Sequence, residues 1–322
     1  PWVSALRNDA LFQRTGDPPT CARDPDCWQD GGAATLQGDG WHVYDPSNSP
    51  LAYREAVAIE ADAAGRVWIA VGNLVATGFG LAVLDPSSGV WRTHQVTADF
   101  NAGNGVADLA VDPANGNVWT AHYPVERRVS IGPGQPEQII VAGGGVARWD
   151  GTRWKSWTKK DSGSTMATYG DYGVYNAVAV DRGRGKVWAG GWSTIGNTFH
   201  WPRGENVHAQ LDACPLETCR ARDWTGKRFT GDGLVSALGT DALGRLWVGT
   251  HRYHRGVVPP VGGVKLLVGD AWHRLGPEDS AIGSNQISSL DTDGPNVWVG
   301  TLRDGAAVYD ESVVPTATPT AF

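Results

Sequence analysis

A single methionine in 322 residues, no stretch of eighteen uncharged apolar residues and no excess of basic charge set the first limits on this chain. A membrane-spanning helix needs about 20 mainly apolar residues, so no insertion of this segment into a bilayer is expected. The opening Pro-Trp-Val-Ser-Ala-Leu lacks the basic and apolar regions of a signal peptide. With 27 Lys and Arg against 34 Asp and Glu, net charge −7 and pI near 5.6, the chain has no footprint for nucleic acid, which requires a concentrated basic face. Also missing are a phosphate loop, a dinucleotide fingerprint and a nucleophile elbow; Gly143-Gly-Gly145 opens an apolar strand pattern, not a helix. Neither catalytic residues nor a cofactor are assigned.

Cysteine is scarce, and its four copies fall in two close pairs, Cys21 with Cys27 and Cys214 with Cys219. Three pairings are possible. The intervals differ from the two-residue gaps of common zinc knuckles, and the local pairing into two disulfides is expected. Disulfides belong to oxidising compartments, so the expected location is extracellular, at the cell surface or periplasmic.

What the chain has in abundance is glycine (43), proline (19) and tryptophan (16), the composition of many short strands and turns. One pattern returns throughout: Gly65-Arg-Val-Trp-Ile-Ala is echoed by GNVWTA, GKVWAG, GRLWVG and PNVWVG. The fuller unit is an alternating apolar run, an Asp, a Gly-containing turn, then apolar-Trp-apolar-small, which is two strands joined by a tight turn. A second hairpin follows, as in Gly-Gly-Val-Ala-Arg-Trp-Asp-Gly-Thr-Arg-Trp (144 to 154) and Gly-Gly-Val-Lys-Leu-Leu-Val-Gly-Asp-Ala-Trp (262 to 272). A four-stranded unit, A to D, repeated in this way is a propeller blade.

The aromatic positions count the blades. Strand B tryptophans are Trp28, Trp68, Trp119, Trp188, Trp247 and Trp298; strand D aromatics are Trp2, Trp41, Trp91, Trp154, Phe229 and Trp272. Trp2 precedes Trp28 by 26 residues, as Trp272 precedes Trp298, which assigns Trp2 to a strand D with no A, B or C before it. The last unit, Ile287 to Asp310, lacks a D strand in turn. The expectation is an all-β, six-bladed β-propeller over residues 1–312, closed by an N-terminal strand, Pro1 to Leu6, completing the last blade beside Ala306 to Tyr309. Each frame tryptophan is then a large apolar plate between neighbouring blades. Residues 313–322 contain Pro315-Thr-Ala-Thr-Pro-Thr-Ala, an extended linker or stalk leading toward further domains.

Asp241-Ala-Leu-Gly-Arg-Leu-Trp-Val-Gly-Thr, with its following Gly-Gly hairpin, resembles the two-component regulator propeller repeat family, and weaker copies cover nearly the whole chain. The resemblance implies a bacterial extracytoplasmic propeller that senses or binds.

Turn lengths locate where binding is expected. From strand B Trp to strand D aromatic the interval is 13, 23, 35, 41 and 25 residues in the first five units, so the extra length lies in B–C connections. Long loops on a rigid scaffold carry binding residues. The third unit offers His122 and Tyr123; the fourth Trp192, His200, Trp201 and Arg203; the fifth His251, Arg252, Tyr253, His254 and Arg255. Aromatic faces with Arg forks suit a carbohydrate or a protein partner. His251 and His254 lack the helix and glutamate of a zinc-protease motif, and Asp291-Thr-Asp-Gly falls where each unit turns from A to B, so no metal is assigned. The sequence reading is a secreted or cell-surface propeller that binds without catalysis. A carbohydrate-active lyase or hydrolase and a structural component of a surface assembly are its alternatives.

Overall fold

The structure, a computed structural model, describes residues 2–5, 32–51, 56–71, 80–95, 106–129, 138–158, 168–169, 172–194, 207–229, 232–251, 262–293, 296–302 and 304–310. The chain divides into two compact units, Pro1–Gly143 with Arg148–Lys155, and Gly144–Ala147 with Ser156–Phe322. Every sheet is antiparallel where its register is given, and the strands follow chain order.

The first unit holds a three-stranded sheet, β1 (Trp2–Ala5), β2 (Gly32–Gln37) and β3 (Gly40–Tyr44). Next comes a four-stranded sheet, β4 (Ala56–Ala61), β5 (Val67–Val71), β6 (Gly80–Asp85) and β7 (Val90–Gln95). Most of the third sheet also belongs here: β8 (Val106–Val111), β9 (Val118–Val129), β10 (Gln138–Trp149) and β11 (Trp154–Trp157). The second unit contains a short ribbon, β12 (Thr168–Tyr169) with β13 (Tyr172–Gly173), then a fourth sheet, β14 (Tyr175–Asp181), β15 (Lys186–Thr194), β16 (Val207–Pro215) and β17 (Thr225–Phe229). The fifth sheet is β18 (Leu234–Thr240), β19 (Leu246–His251), β20 (Gly263–Val268) and β21 (Ala271–Leu275), and the sixth is β22 (Ile287–Asp293), β23 (Asn296–Thr301) and β24 (Ala306–Asp310). Among the described residues five sheets thus stand where the second to sixth repeats are read in the sequence, and β2 and β3 stand where the second hairpin of the first repeat is read.

Strand position decides burial. β5 and β14 are buried at every residue, whereas β3, an outer strand, is exposed at four of its five. A strand covered on both faces reads as a continuous apolar run, and one with a wet face tolerates charge. The small residue after each strand B tryptophan has a steric cause. A Cβ on Gly249 would stand 2.6 Å from Ile287 of the next sheet, and one on Gly190 would overlap Val235. The first strand of each following sheet nests in that gap. Parallel hydrogen bonds mark the same seam: Asn176 Nδ2 donates to the Val235 carbonyl at 3.0 Å, and Ser236 Oγ to the Ile287 carbonyl at 2.6 Å.

The A–B turns are built on a carboxylate. Asp241 Oδ1 accepts the Leu243 and Arg245 N–H groups at 3.1 and 2.8 Å, while Oδ2 accepts Arg245 Nε at 2.5 Å and Trp247 Nε1 at 2.7 Å. Asp62 repeats the set with Arg66 Nε at 2.6 Å and Trp68 Nε1 at 3.0 Å. Asp181 does so with Arg184 Nη1 at 3.0 Å and Trp188 Nε1 at 3.1 Å. Burial raises the Asp62 pKa, but the hydrogen bonds from Trp68 and Arg66 outweigh it and hold the group below the ordinary carboxylate range. Trp68, Trp188 and Trp247 are therefore hydrogen-bonded posts as well as apolar plates.

The N-terminal strand lies elsewhere than expected. Trp2–Ala5 pairs antiparallel with Gly32–Thr35 in the first sheet, with Trp2 opposite Thr35 and Ala5 opposite Gly32. Thr35 is the third residue after Gly32, just as Trp68 faces Val83, third after Gly80, and Trp247 faces Leu266, third after Gly263. Strand D aromatics sit one position further along: Trp41 faces Leu36, Trp91 Leu84 and Trp272 Leu267. Trp2 thus occupies a strand B position, and closure of the last blade by Pro1 to Leu6 is overturned. The residues after the tryptophan are the physical reason. Trp2-Val-Ser-Ala continues with small residues like Trp247-Val-Gly, whereas strand D continues with polar ones, as in Trp91-Arg-Thr. Trp28 and the tail 313–322 lie outside the described residues. Two frame tryptophans are not covered plates: Trp41 is 56% exposed beside Leu36 and Val43, and Trp298 is 46% exposed opposite Val308.

The turn carboxylate generates a stability prediction. Trp247→Phe keeps an aromatic ring but removes the donor and part of the buried indole's volume, and costs about 2–4 kcal/mol. Asp241→Ala leaves the Arg245 guanidinium buried without its partner and costs more, about 3–5 kcal/mol. Urea denaturation of the two variants checks the order.

Candidate functional site

The B–C connections of the third and fourth sheets begin as strand, not loop. β9 runs twelve residues, through His122 and Tyr123 to Val129, and β15 continues past the sheet core through Trp192 to Thr194. His122 is fully buried, its Nε2 2.8 Å from Thr120 Oγ1, and Trp192 is 7% exposed in a ladder position opposite Ala209. Both are corrected from exposed loop residues to packed strand residues, because the ladder simply outlasts the length of the other blades. His251 ends β19, half-buried, with Nδ1 3.1 Å from the Ile287 carbonyl. A carbonyl only accepts, so Nδ1 carries the proton. Burial pushes the His251 pKa down, against the opposing effect of that hydrogen bond. Tyr123 is described only in its backbone, and His200, Trp201, Arg203, Arg252, Tyr253, His254 and Arg255 lie outside the described residues. Asp291 and Asp293 lie in β22, with Asp293 paired to Asn296 across the A–B turn. Among the described residues no three His, Cys, Asp or Glu side chains gather as metal ligands.

Beneath these connections sit polar groups that sequence reasoning missed. In the fifth sheet Lys265 is fully buried, and its Nζ lies 2.9 Å from Asp232 Oδ2, 3.0 Å from the Gly262 carbonyl and 3.4 Å from Thr250 Oγ1. Asp232 Oδ1 accepts the Gly262 N–H at 3.0 Å, and Arg274 Nε donates to the Gly262 carbonyl at 3.2 Å. Both polar groups of Gly262, the residue that closes the B–C connection at φ +103°, are thus held by charge. Burial lowers the Lys265 pKa, and the Asp232 carboxylate opposes that shift. In the fourth sheet Asp212, fully buried, accepts Tyr175 Oη–H at 2.7 Å and Gln210 Nε2 at 2.8 Å. The sequence signal was a charge inside an apolar strand C: Gly-Val-Lys-Leu-Leu in one sheet and Ala-Gln-Leu-Asp-Ala in the other. The second sheet, whose B–C connection supplies no candidate binding residue, has Ala82 at the position of Lys265 and no buried charge beyond its turn Asp62.

The Cys214–Cys219 disulfide forms as expected, with Cα atoms 5.5 Å apart. It closes the C–D connection of the fourth sheet, where the Leu216 N–H also bonds the Gly185 carbonyl at 2.8 Å. Cys21 and Cys27 lie outside the described residues.

No protein-family model matches the sequence, and no curated protein matches it. Among solved structures the chain is similar to PorZ, an essential bacterial surface component of the type-IX secretion system of Porphyromonas gingivalis, with 19% identity and a TM-score of 0.51. The match covers 87% of this chain and 36% of that one. The fold is an all-β propeller. Kuenenia stuttgartiensis hydrazine synthase is also similar, at 11% identity and a TM-score of 0.48, over 80% of this chain and 72% of that one. This chain spans little more than a third of the PorZ structure it matches.

Two outcomes follow from these groups. Lys265→Met strands a largely buried Asp232 and lowers stability by about 3–5 kcal/mol, while Lys265→Met with Asp232→Asn recovers at least half of that, read by chemical denaturation. For His251 the folded pKa lies below the unfolded value of about 6.5, so its contribution is present above that pH and is lost as the pH falls below it. Between pH 7.5 and 5.5 the wild-type Tm should therefore drop further than that of His251→Asn, in thermal melts run side by side.

Proposed function

We propose that this chain is an extracytoplasmic, non-catalytic binding propeller that engages a carbohydrate or protein partner through its B–C connections. The observation that carries the reading is the buried charge under those connections. A buried ion pair such as Lys265–Asp232 is weak as a stabiliser compared with apolar packing, because desolvation offsets its attraction. Here the pair holds the backbone of Gly262, the residue that ends the segment bearing Arg252, Tyr253 and Arg255. The cost is spent on position. The disulfide supports an oxidising compartment. PorZ, with which the chain shares its fold, is a bacterial surface component.

The test sets two groups of arginines against each other on an array of immobilised glycans and, in parallel, in a pull-down from a bacterial envelope. Arg252, Tyr253 and Arg255 changed together to Ala should weaken binding tenfold or more. Arg153→Ala with Arg182→Ala should not, because both lie in turns and pair at the surface, with Asp150 and Glu217. Arg66 and Arg245 are unsuitable controls, since each holds a turn carboxylate. Equal losses in both sets would refute the assignment to the B–C connections.

A further inference from the structure

At the opposite strand ends of the second and third sheets, where the A–B and C–D turns lie, the first unit contains a cleft of about 290 Å³. It is lined by Arg66, Trp68, Asp85, Arg92, His94 and Trp149, with turn glycines and valines between them. The rings form one stack across the two sheets: Trp68 to His94 at 5.7 Å and 22°, His94 to Trp149 at 4.9 Å and 43°, and Trp149 to Trp154 at 5.5 Å and 44°. Trp68 is buried and its N–H is taken by Asp62, so its part is structural. His94 and Trp149 are only half-buried and present ring surface to the cleft.

Two arginines and one carboxylate share the lining. Arg66 bonds Asp62 through Nε, yet its side chain is 43% exposed. Arg92 is exposed and makes no hydrogen bond or ion pair among the described residues. The one carboxylate in the lining, Asp85, is ionised and turned to its own turn: the Ser87 hydroxyl and N–H donate to its Oδ1 at 2.6 and 2.9 Å, and hydrogen bonds from Ser87 and Ser88 hold its pKa down at about 2. Arg66 is paired with Asp62, so the exposed Arg92 is the cation of the lining that has no carboxylate bonded to it among the described residues, beside two half-open aromatic rings.

We propose that this cleft is a second binding site, for a ligand that joins a ring to a carboxylate, the ring against Trp149 and His94 and the carboxylate between Arg92 and Arg66. Aromatic faces take flat or apolar ring surfaces, and guanidinium groups take carboxylates in a paired geometry. Uronic sugars and aryl acids share this chemistry. The site uses none of the B–C connections, so it stands apart from the reading above.

His94 reports occupancy. Burial, then the neighbouring Arg92 and Arg66 charges, hold its pKa below the ordinary histidine value. The charged groups facing it are those two arginines and Asp85, with Asp62 behind Arg66. A carboxylate settling between the arginines offsets their repulsion, so binding raises the His94 pKa and binding tightens as His94 is protonated.

The experiment titrates the protein with glucuronate, phenylacetate and acetate, following tryptophan fluorescence and the His94 ring shifts by NMR across pH 5 to 8. At least one ring acid should saturate, acetate should bind at least tenfold more weakly, and the His94 pKa should rise with occupancy. Arg92→Ala should weaken that binding tenfold or more with near-UV circular dichroism unchanged, while Arg153→Ala should leave it alone. Whichever ring acid binds tighter identifies the source class. Failure of both ring acids to saturate, acetate binding as tightly, binding indifferent to Arg92→Ala, or an unmoved His94 would each overturn the proposal.

Discussion

In the second, fourth and fifth sheets the structure hangs on one turn carboxylate each. At Asp62, Asp181 and Asp241 a single side chain caps the A–B turn through its backbone N–H groups, pairs with an arginine and accepts the indole N–H of the strand B tryptophan. Turn geometry, charge and the orientation of the largest core ring are thereby coupled. The indole can bury its apolar body between sheets without leaving a donor unpaired, which would cost about 1–3 kcal/mol. In the third sheet Asn117 stands where the second and fifth have Arg66 and Arg245, and Arg148 from strand C places its guanidinium over the Trp119 ring at 5.5 Å. The cation reaches the ring from another strand.

Above this frame the sheets diverge. The second sheet fills its strand C with Leu81, Ala82, Val83 and Leu84, while the fourth and fifth spend core positions on Asp212 and Lys265. Apolar residues of similar volume would pack there at lower desolvation cost. What the charged residues add is a fixed exit for the backbone, at Gly262 most clearly. The turn side of the second and third sheets is built differently, with ring contacts running from Trp68 through His94 and Trp149 to Trp154 and an exposed arginine that bonds no side chain among the described residues.

The repeat, its four-strand unit and the local disulfide were legible because each is a short-range pattern: period-2 alternation, Asp with Gly at a turn, two cysteines a few residues apart. Trp2 was misassigned because spacing alone carries no strand identity. A tryptophan 26 residues before another is compatible with strand B or D, and only the residues that follow it, Val-Ser-Ala, separate the two by their size. His122 and Trp192 were read as loop because the intervals beyond Trp119 and Trp188 are long. A ladder that runs on through a polar sequence leaves no break in composition to mark it.

The sequence by itself determined the fold class, since the recurrence of Asp, Gly, Trp and a small residue encodes turn, ring and close approach within each repeat. Tertiary structure decided which strand Trp2 joins, which candidate residues are buried, and where charge gathers. Lys265 meets Asp232, and His94 meets Trp149, only because strands or sheets distant in the chain are laid side by side. Contacts of that kind depend on register and stacking, which no local pattern of residues specifies.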